Sequence, residues 1–229
     1  MDDAKQLLGG FAQLAQSLAS APDEDARLQV AVDAAVALVT RCDHAGVTIN
    51  DNGALVTRAS SDDLVRHANG LQTELGEGPC LDVRRDQNTL VSASLAVERR
   101  WPTWAPRVHA ELGVDSMMSL LVYTDDHSFG ALSLYCEDGC RFDADDVAVG
   151  QALAGQLSVI MAAEKEIDQL GLALHNRNII GQAQGVLMER YDMSADQAFD
   201  YLRRLSSTSN VKVAVLAAEI AQTRRIPVE

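Results

Sequence analysis

Six cations in the last quarter of the chain, Arg177, Arg203, Arg204, Lys212, Arg224 and Arg225, are the residues best suited to chemistry with phosphate. They stand out because the rest of the sequence is acidic. Residues 176–229 carry seven Lys or Arg against six Asp or Glu, net +1, whereas residues 1–175 carry 12 against 27, net −15. Binding to nucleic acid needs a positive footprint that displaces counterions from phosphates. A total charge of −14 excludes that for the molecule as a whole and leaves it to the C-terminal segment, while the acidic remainder repels indiscriminate binding.

The other reactive side chains form no catalytic set. Cys136 and Cys140 flank Glu137-Asp138-Gly139, which reads as a turn between a strand and a helix. A metal site or redox pair is one reading there; reduced thiols packed as small hydrophobes is the favoured one. Gly76-x-Gly78 offers backbone amides to an anion, but Pro79 removes a donor and no strand–loop–helix pattern surrounds it, so it reads as a structural turn. Cys80 has no cation beside it in sequence to stabilise a thiolate and reads as buried. His44, His67, His109 and His127 are isolated, and Asp125-Asp126 reads as a solvated turn. No nucleophile has a base at hand, so no enzyme is expected.

Positioning these residues takes two folded units, which 229 residues with 47% hydrophobic content can build. Residues 4–19 form an amphipathic pattern, and a second helix follows from Pro22 through Leu28, Val32, Val36 and Val39. Strands are predicted at Ala45–Asn50 and Ala54–Ser60, joined by Asp51-Asn52-Gly53, then at Thr89–Ala93, Ser116–Thr124 and Phe129–Cys136, with a helix over Pro102–Leu112. The expectation is an α+β fold: an antiparallel meander with flanking helices. No stretch approaches the ~18 uninterrupted apolar residues of a membrane span, and the start is acidic, so a cytoplasmic protein is expected.

Three short apolar-periodic segments close the chain. Ile179, Ile180, Ala183, Val186 and Leu187 make one face. Ser194-Ala195-Asp196-Gln197 is a capping-box pattern opening a stripe of Ala198, Phe199, Leu202 and Leu205. After a polar break at Ser206–Asn210, Asn210 is placed as the N-cap of a third helix through Val211, Val213, Val215, Leu216, Ala218 and Ile220. Between the two units, Leu153, Leu157, Ile160, Ile167 and Leu174 recur in steps of four and three, with Glu164 and Gly171 filling the seam, as in a coiled-coil homodimer. A long helix packed on its own domain is the alternative. The partition is 1–150, 151–175 and 176–229.

The string Arg177-x-x-Ile180-x-x-Ala183-Gln184-Gly185-x-Leu187-Met188, with Ala198-Phe199-x-x-Leu202-Arg203 and Ser209-Asn210, resembles the ANTAR domain, a small RNA-binding module of bacterial antiterminators. Gln184 stands where that family usually has Lys. Gly76-Glu77-Gly78-Pro79-Cys80-Leu81-Asp82, Arg100-Trp101-Pro102 and Phe142-Asp143-x-x-Asp146 resemble the GAF sensor domain. GAF-like domains bind varied small ligands or none, so the cofactor stays unknown. The resemblance implies a regulator that binds paired RNA hairpin loops to promote antitermination, with RNA contacts from Arg177, Gln184, Arg203, Ser206, Ser209, Asn210 and Lys212. Gly185 and Met188 are assigned to close helix packing. A helix-turn-helix on DNA and a protein-binding tail are the alternatives; the five-residue break without glycine speaks against the first.

Overall fold

The computed structural model describes residues 2–51, 54–86, 89–122 and 129–225. Asn52-Gly53, Asp125 to His127 and the side chain of Glu164 lie outside the described residues. The chain divides into two compact units, Met1–Ala162 and Ala163–Glu229. In order, its elements are α1 (Asp2–Ser20), α2 (Glu24–Leu38), β1 (His44–Asp51), β2 (Ala54–Ser60), α3 (Asp63–Leu75), α4 (Pro79–Asp86), β3 (Leu90–Ser92), α5 (Trp104–Leu112), β4 (Val114–Val122), β5 (Phe129–Glu137), α6 (Ala144–Tyr191), α7 (Ala195–Ser209) and α8 (Val213–Thr223).

The expected strands form one antiparallel sheet, but not the expected meander. Its order is β2-β1-β5-β4-β3. β5 lies between β4, which precedes it in the chain, and β1 of the first hairpin, setting Leu132 opposite Val47 of β1 and opposite Leu120 of β4. Strand side chains alternate faces, so one face carries Val47, Ile49, Leu120, Leu132 and Leu134. Leu14 and Leu18 of α1, Leu28 and Val32 of α2, and Leu153, Leu157 and Met161 of α6 pack there. The other face takes Val65, Ala68 and Leu71 of α3 and Trp104, Ala105 and Val108 of α5 against Met117 and Tyr135.

Sequence periodicity missed α3 and α4. Buried Asn69 and Gln72 interrupt the apolar stripe of α3. Its ends are nonetheless marked: Asp62 accepts from Val65 N at 3.3 Å as N-cap, and Gly76 closes it in the left-handed region at φ 65. Gly78, at φ 144, passes so close to Gln72 that a Cβ would sit 2.4 Å from its Cγ. Gly76-x-Gly78 thus stops one helix and starts the next. Pro22 lies one residue before the cap of α2, where Asp23 accepts from Ala26 N at 2.8 Å.

α6 runs for 48 residues. Its start is a reciprocal cap. Asp143 Oδ1 accepts from the amides of Asp145 (2.9 Å) and Asp146 (3.1 Å), and Asp146 Oδ2 accepts from Asp143 N at 3.0 Å. Arg41 Nη1 pairs with both carboxylates, at 2.5 and 2.8 Å, so the 3%-exposed Asp146 is not left as an uncompensated charge. Ala144–Ala163 passes the length and apolarity test for a membrane span, but its Leu153, Leu157 and Met161 are in the domain core.

Leu157 is 1% exposed, so Leu157→Ala should lower stability by about 2–5 kcal/mol through lost burial and an unfilled cavity. Both tryptophans lie in the first unit. Chemical denaturation followed by tryptophan fluorescence will therefore read that unit's transition, and an unchanged midpoint would contradict this core.

Candidate nucleic-acid interface and sensor interior

The second unit closes around Ala183 and Leu187 of α6, Ala198 and Leu202 of α7, and Ala217 and Ile220 of α8. Alanines at three of these six positions let the helices approach closely. α7 opens with the expected capping box: Ser194 Oγ accepts from Gln197 N at 3.3 Å, and Gln197 Oε1 accepts from Ser194 N at 2.8 Å. Phe199, expected in the stripe, is 38% exposed. Gly185 is exposed and a Cβ there would meet nothing within 4 Å; Met188 is 38% exposed. Neither makes the close packing expected of it.

Two further corrections concern the break between α7 and α8. α7 continues through Ser209, which shortens the break to Asn210–Lys212. Asn210 is not the N-cap of α8 but the left-handed C-cap of α7, at φ 54 and ψ 31; Lys212 takes the N-cap position without a side-chain bond. Ser, Asn and Asp suit both kinds of boundary, so residue type alone misassigned it. Ser206 and Ser209 donate to the carbonyls of Val211 (2.6 Å) and Leu205 (2.7 Å). Their hydroxyls are committed as donors and remain available as acceptors. The shortened turn also removes the objection to a helix-turn-helix that rested on its length.

The proposed contact residues do not form one cluster. Arg203 and Ser206 fall at i and i+3 on one face of α7, and Asn210 caps the end of that helix. Gln184 is at the other end of that helix, donating to Ala195 O at 3.0 Å. At 1.5 Å per residue, Ala195 and Ser209 are roughly 20 Å apart. Arg177 precedes Gln184 by two turns on α6, and both Arg177 and Lys212 are exposed. Arg203 makes only a 3.5 Å ion pair with Asp200, both about two-thirds exposed, a contact worth little. Arg203, Arg204 and Ser206 line an open groove of about 910 Å³ that also takes in Tyr191 and Met193. Tyr191, 51% exposed, was missed because a residue at a break carries no periodic signal.

The coiled-coil seam is split. Leu153 and Leu157, 2% and 1% exposed, belong to the first unit's core, and Ile160 packs against it. They are corrected from seam to core. Ile167 (68%) and Leu174 (67%) are exposed, as is Leu170 (58%). Leu170 takes the place given to Gly171 and keeps the three-and-four spacing.

In the first unit two of the strings that resemble the GAF pattern lock together. Glu77 Oε1 accepts from Thr103 N and Trp104 N, both at 2.5 Å, capping α5. Trp101 Nε1 donates to Asp82 Oδ2 at 2.9 Å, Arg100 stacks 4.6 Å over the Trp101 ring, and the two indoles meet edge to face at 5.6 Å. Beneath them the sheet carries a buried polar network. Tyr135 Oη donates to Asn69 Oδ1 (3.0 Å), Asn69 Nδ2 to Thr48 Oγ1 (2.7 Å), and Gln72 Oε1 accepts from Cys80 N (2.8 Å). Burial pushes the Cys80 thiol up, which makes it an unreactive group. Glu98 is held down to about 2 by its hydrogen bonds from Arg100.

A GAF domain model matches residues 21–162 and an ANTAR domain model matches residues 168–220. The chain belongs to the GAF domain family and carries an ANTAR domain after it. Both are regulatory rather than catalytic domain types. No curated protein sequence matches the chain significantly. Among solved structures, the GAF domain of a phosphoenolpyruvate-protein phosphotransferase from Coxiella burnetii is similar at TM-score 0.56 and 18% identity, covering 72% of this chain and 98% of that one. The Stigmatella aurantiaca phytochrome photosensory core aligns at 0.59 and 14% identity, over 93% of this chain and 45% of that one. A free methionine-R-sulfoxide reductase from Neisseria meningitidis, in complex with its substrate, aligns at 0.54 and 15%, over 73% and 95%. At these identities the likeness shows the fold alone.

His44 gives this unit a pH dependence. Burial lowers its pKa, but Asp62 at 2.5 Å from Nδ1 and Glu137 at 3.3 Å from Nε2 outweigh that, and the net shift is upward. A pKa raised above its unfolded value of ~6.5 means stability that is fully present below that pH and lost as pH rises through the folded value. The melting temperature of the first unit should therefore fall as pH rises above ~6.5, and His44→Gln should flatten that fall. An identical slope in the variant would remove the assignment.

Proposed function

We propose that the ANTAR domain binds RNA hairpin loops and that the protein promotes transcription antitermination, by holding a paired-hairpin form of nascent messenger RNA that competes with a terminator. The observation that carries this reading is the ANTAR match over residues 168–220, in the one part of an acidic chain with a positive balance. Exposed Arg203 and Arg204 bordering an open groove support it. A bundle of three short helices has no groove for a duplex and reads splayed loop bases best. The cations supply phosphate pairing; Gln184, Ser206, Ser209 and Asn210 supply edge hydrogen bonds.

The GAF domain is the sensory part of this proposal, with a small molecule as its signal. The exposed stripe Ile167, Leu170 and Leu174 supports a homodimer through a short coiled coil. Placing Lys at both Ile167 and Leu174 should dissociate it, because a charge buried in a seam costs several kcal/mol. Light scattering that still returned a dimer would locate the interface elsewhere.

Arg203→Ala should leave stability within about ±0.5 kcal/mol. It should weaken RNA binding across sequences and lower the salt slope by about one unit. For Asn210 the informative change is to Gly, since Ala at a positive φ would strain the cap. Asn210→Gly should blunt discrimination between loop sequences. Gel shifts with a two-loop RNA, a loop-scrambled control and duplex DNA at equal salt read all three. Unchanged RNA affinity in both variants removes this surface, and preference for duplex DNA replaces RNA with DNA.

A further inference from the structure

The corner where β5 hands the chain to α6 contains the two cysteines that the sequence reading left as reduced thiols. Here they are brought together: Cys136, at the end of β5, and Cys140, four residues on, have Cα atoms 5.8 Å apart, within reach of a disulfide. We propose that Cys136 and Cys140 are a reversible dithiol–disulfide sensor at the entrance to α6, oxidised by low-molecular-weight disulfides of the glutathione class.

The placement separates an attacking sulfur from a resolving one. Cys140 lies in the turn and is partly exposed, whereas Cys136 is 0% exposed in the core against the sheet. The Cys140 thiol loses its proton and attacks the external disulfide, forming a mixed disulfide and releasing one thiolate, which takes up that proton. Cys136 then loses its proton to the second leaving thiolate as it attacks Cys140 Sγ and displaces it. The protein gives up two electrons and two protons, and one external disulfide becomes two thiols. The other two cysteines stay out of this exchange. Cys42 and Cys80 are buried, and burial pushes the Cys42 thiol up to about 12.

Opening the bond does not unfold the domain, because so short a ring removes little freedom from the unfolded chain. Its effect is local to the turn and the start of α6. The ring contains Asp138 and Gly139, both at positive φ (54 and 73). Cys140 N donates to Glu137 O at 3.1 Å, and Gly139 N donates to Asp115. Three residues beyond Cys140 stands Asp143, the cap of the helix shared by the two domains. The reduced turn keeps these hydrogen bonds and the Arg41 clamp but loses its covalent brace.

A competing chemistry uses the same atoms. The Asp43 carboxylate lies within 4.8 Å of both sulfurs, which in the reduced state makes a three-ligand set suited to zinc. The full-length protein, freed of metal, is equilibrated in buffers of graded reduced-to-oxidised glutathione, then alkylated without unfolding and weighed. Before unfolding, Cys140 should be labelled in the reduced protein and not in the oxidised one, and labelling after unfolding should add two labels fewer to the oxidised protein, the two changes occurring together in one two-electron step. Cys42 and Cys80 should be labelled only after unfolding at every ratio. Hydrogen exchange over residues 138–147 should be faster in the reduced form, and Cys140→Ser should show the fast pattern under both conditions. Cys136→Ala, which keeps an apolar group in the core, is the second variant should Cys140→Ser fail to fold. A pair that stays reduced under excess oxidised glutathione overturns the proposal, as does stoichiometric zinc that blocks oxidation, or equal exchange in the two states. None of these readouts involves RNA, so they stand or fall independently of the function proposed above.

Discussion

One helix has to complete two hydrophobic cores. α6 gives Leu153, Leu157 and Met161 to the sheet of the first unit and Ala183 and Leu187 to the bundle of the second. A helix that serves one core keeps a single apolar stripe. α6 serves two, and the residues between them are released from both, which is why Ile167, Leu170 and Leu174 are apolar and exposed at once. The reciprocal Asp143–Asp146 cap and Arg41 fix where this helix begins.

The sheet divides the first unit into two chemically different halves. Against α1, α2 and α6 the packing is mainly aliphatic. Against α3, α4 and α5 it is specified by hydrogen bonds: Asn69, Gln72, Tyr135 and Thr48 satisfy one another, and Glu77 and Asp82 hold the Trp101-containing segment. A buried polar group without a partner costs about 1–3 kcal/mol, so such a network tolerates few rearrangements. Two of the strings that resemble the GAF pattern supply the Glu77, Asp82 and Trp101 contacts, which gives the resemblance a physical content: carboxylates placed to receive an indole N–H and the first amides of a helix.

What could be read from sequence alone follows from which signals are local. The Ser194 capping box and the β1–β2 hairpin strands depend on near neighbours, and each was legible. α3 was not, since its stripe is broken by Asn69 and Gln72, whose partners lie far away in sequence on β1 and β5. Leu153 and Leu157 have the spacing of both a seam and a core helix, and only the sheet beneath them decides. Asn210 is favoured at either kind of helix boundary, and its left-handed backbone settles which one it marks. The pairing of β5 with β1, some eighty residues back, has no local signature at all.

Ion pairing is distributed differently in the two units. In the first, Arg41, Arg58, Arg100 and Arg107 are tied to carboxylates at 2.5 to 3.2 Å. In the second, Arg177, Arg204, Arg225 and Lys212 make no ion pair among the described residues, and Arg203 makes one long, exposed one. A guanidinium already held by a carboxylate must be released before it can meet a phosphate, whereas an unpaired, solvated one gives up only water and a screened counterion. Exposed Lys5, Arg66, Arg99 and Arg141 of the first unit likewise make no ion pair among the described residues, so what favours an anionic partner at the second unit is its net +1 against −15, not its pairing alone. The surrounding acidic surface adds long-range repulsion that a partner must offset through specific contacts at those few cations.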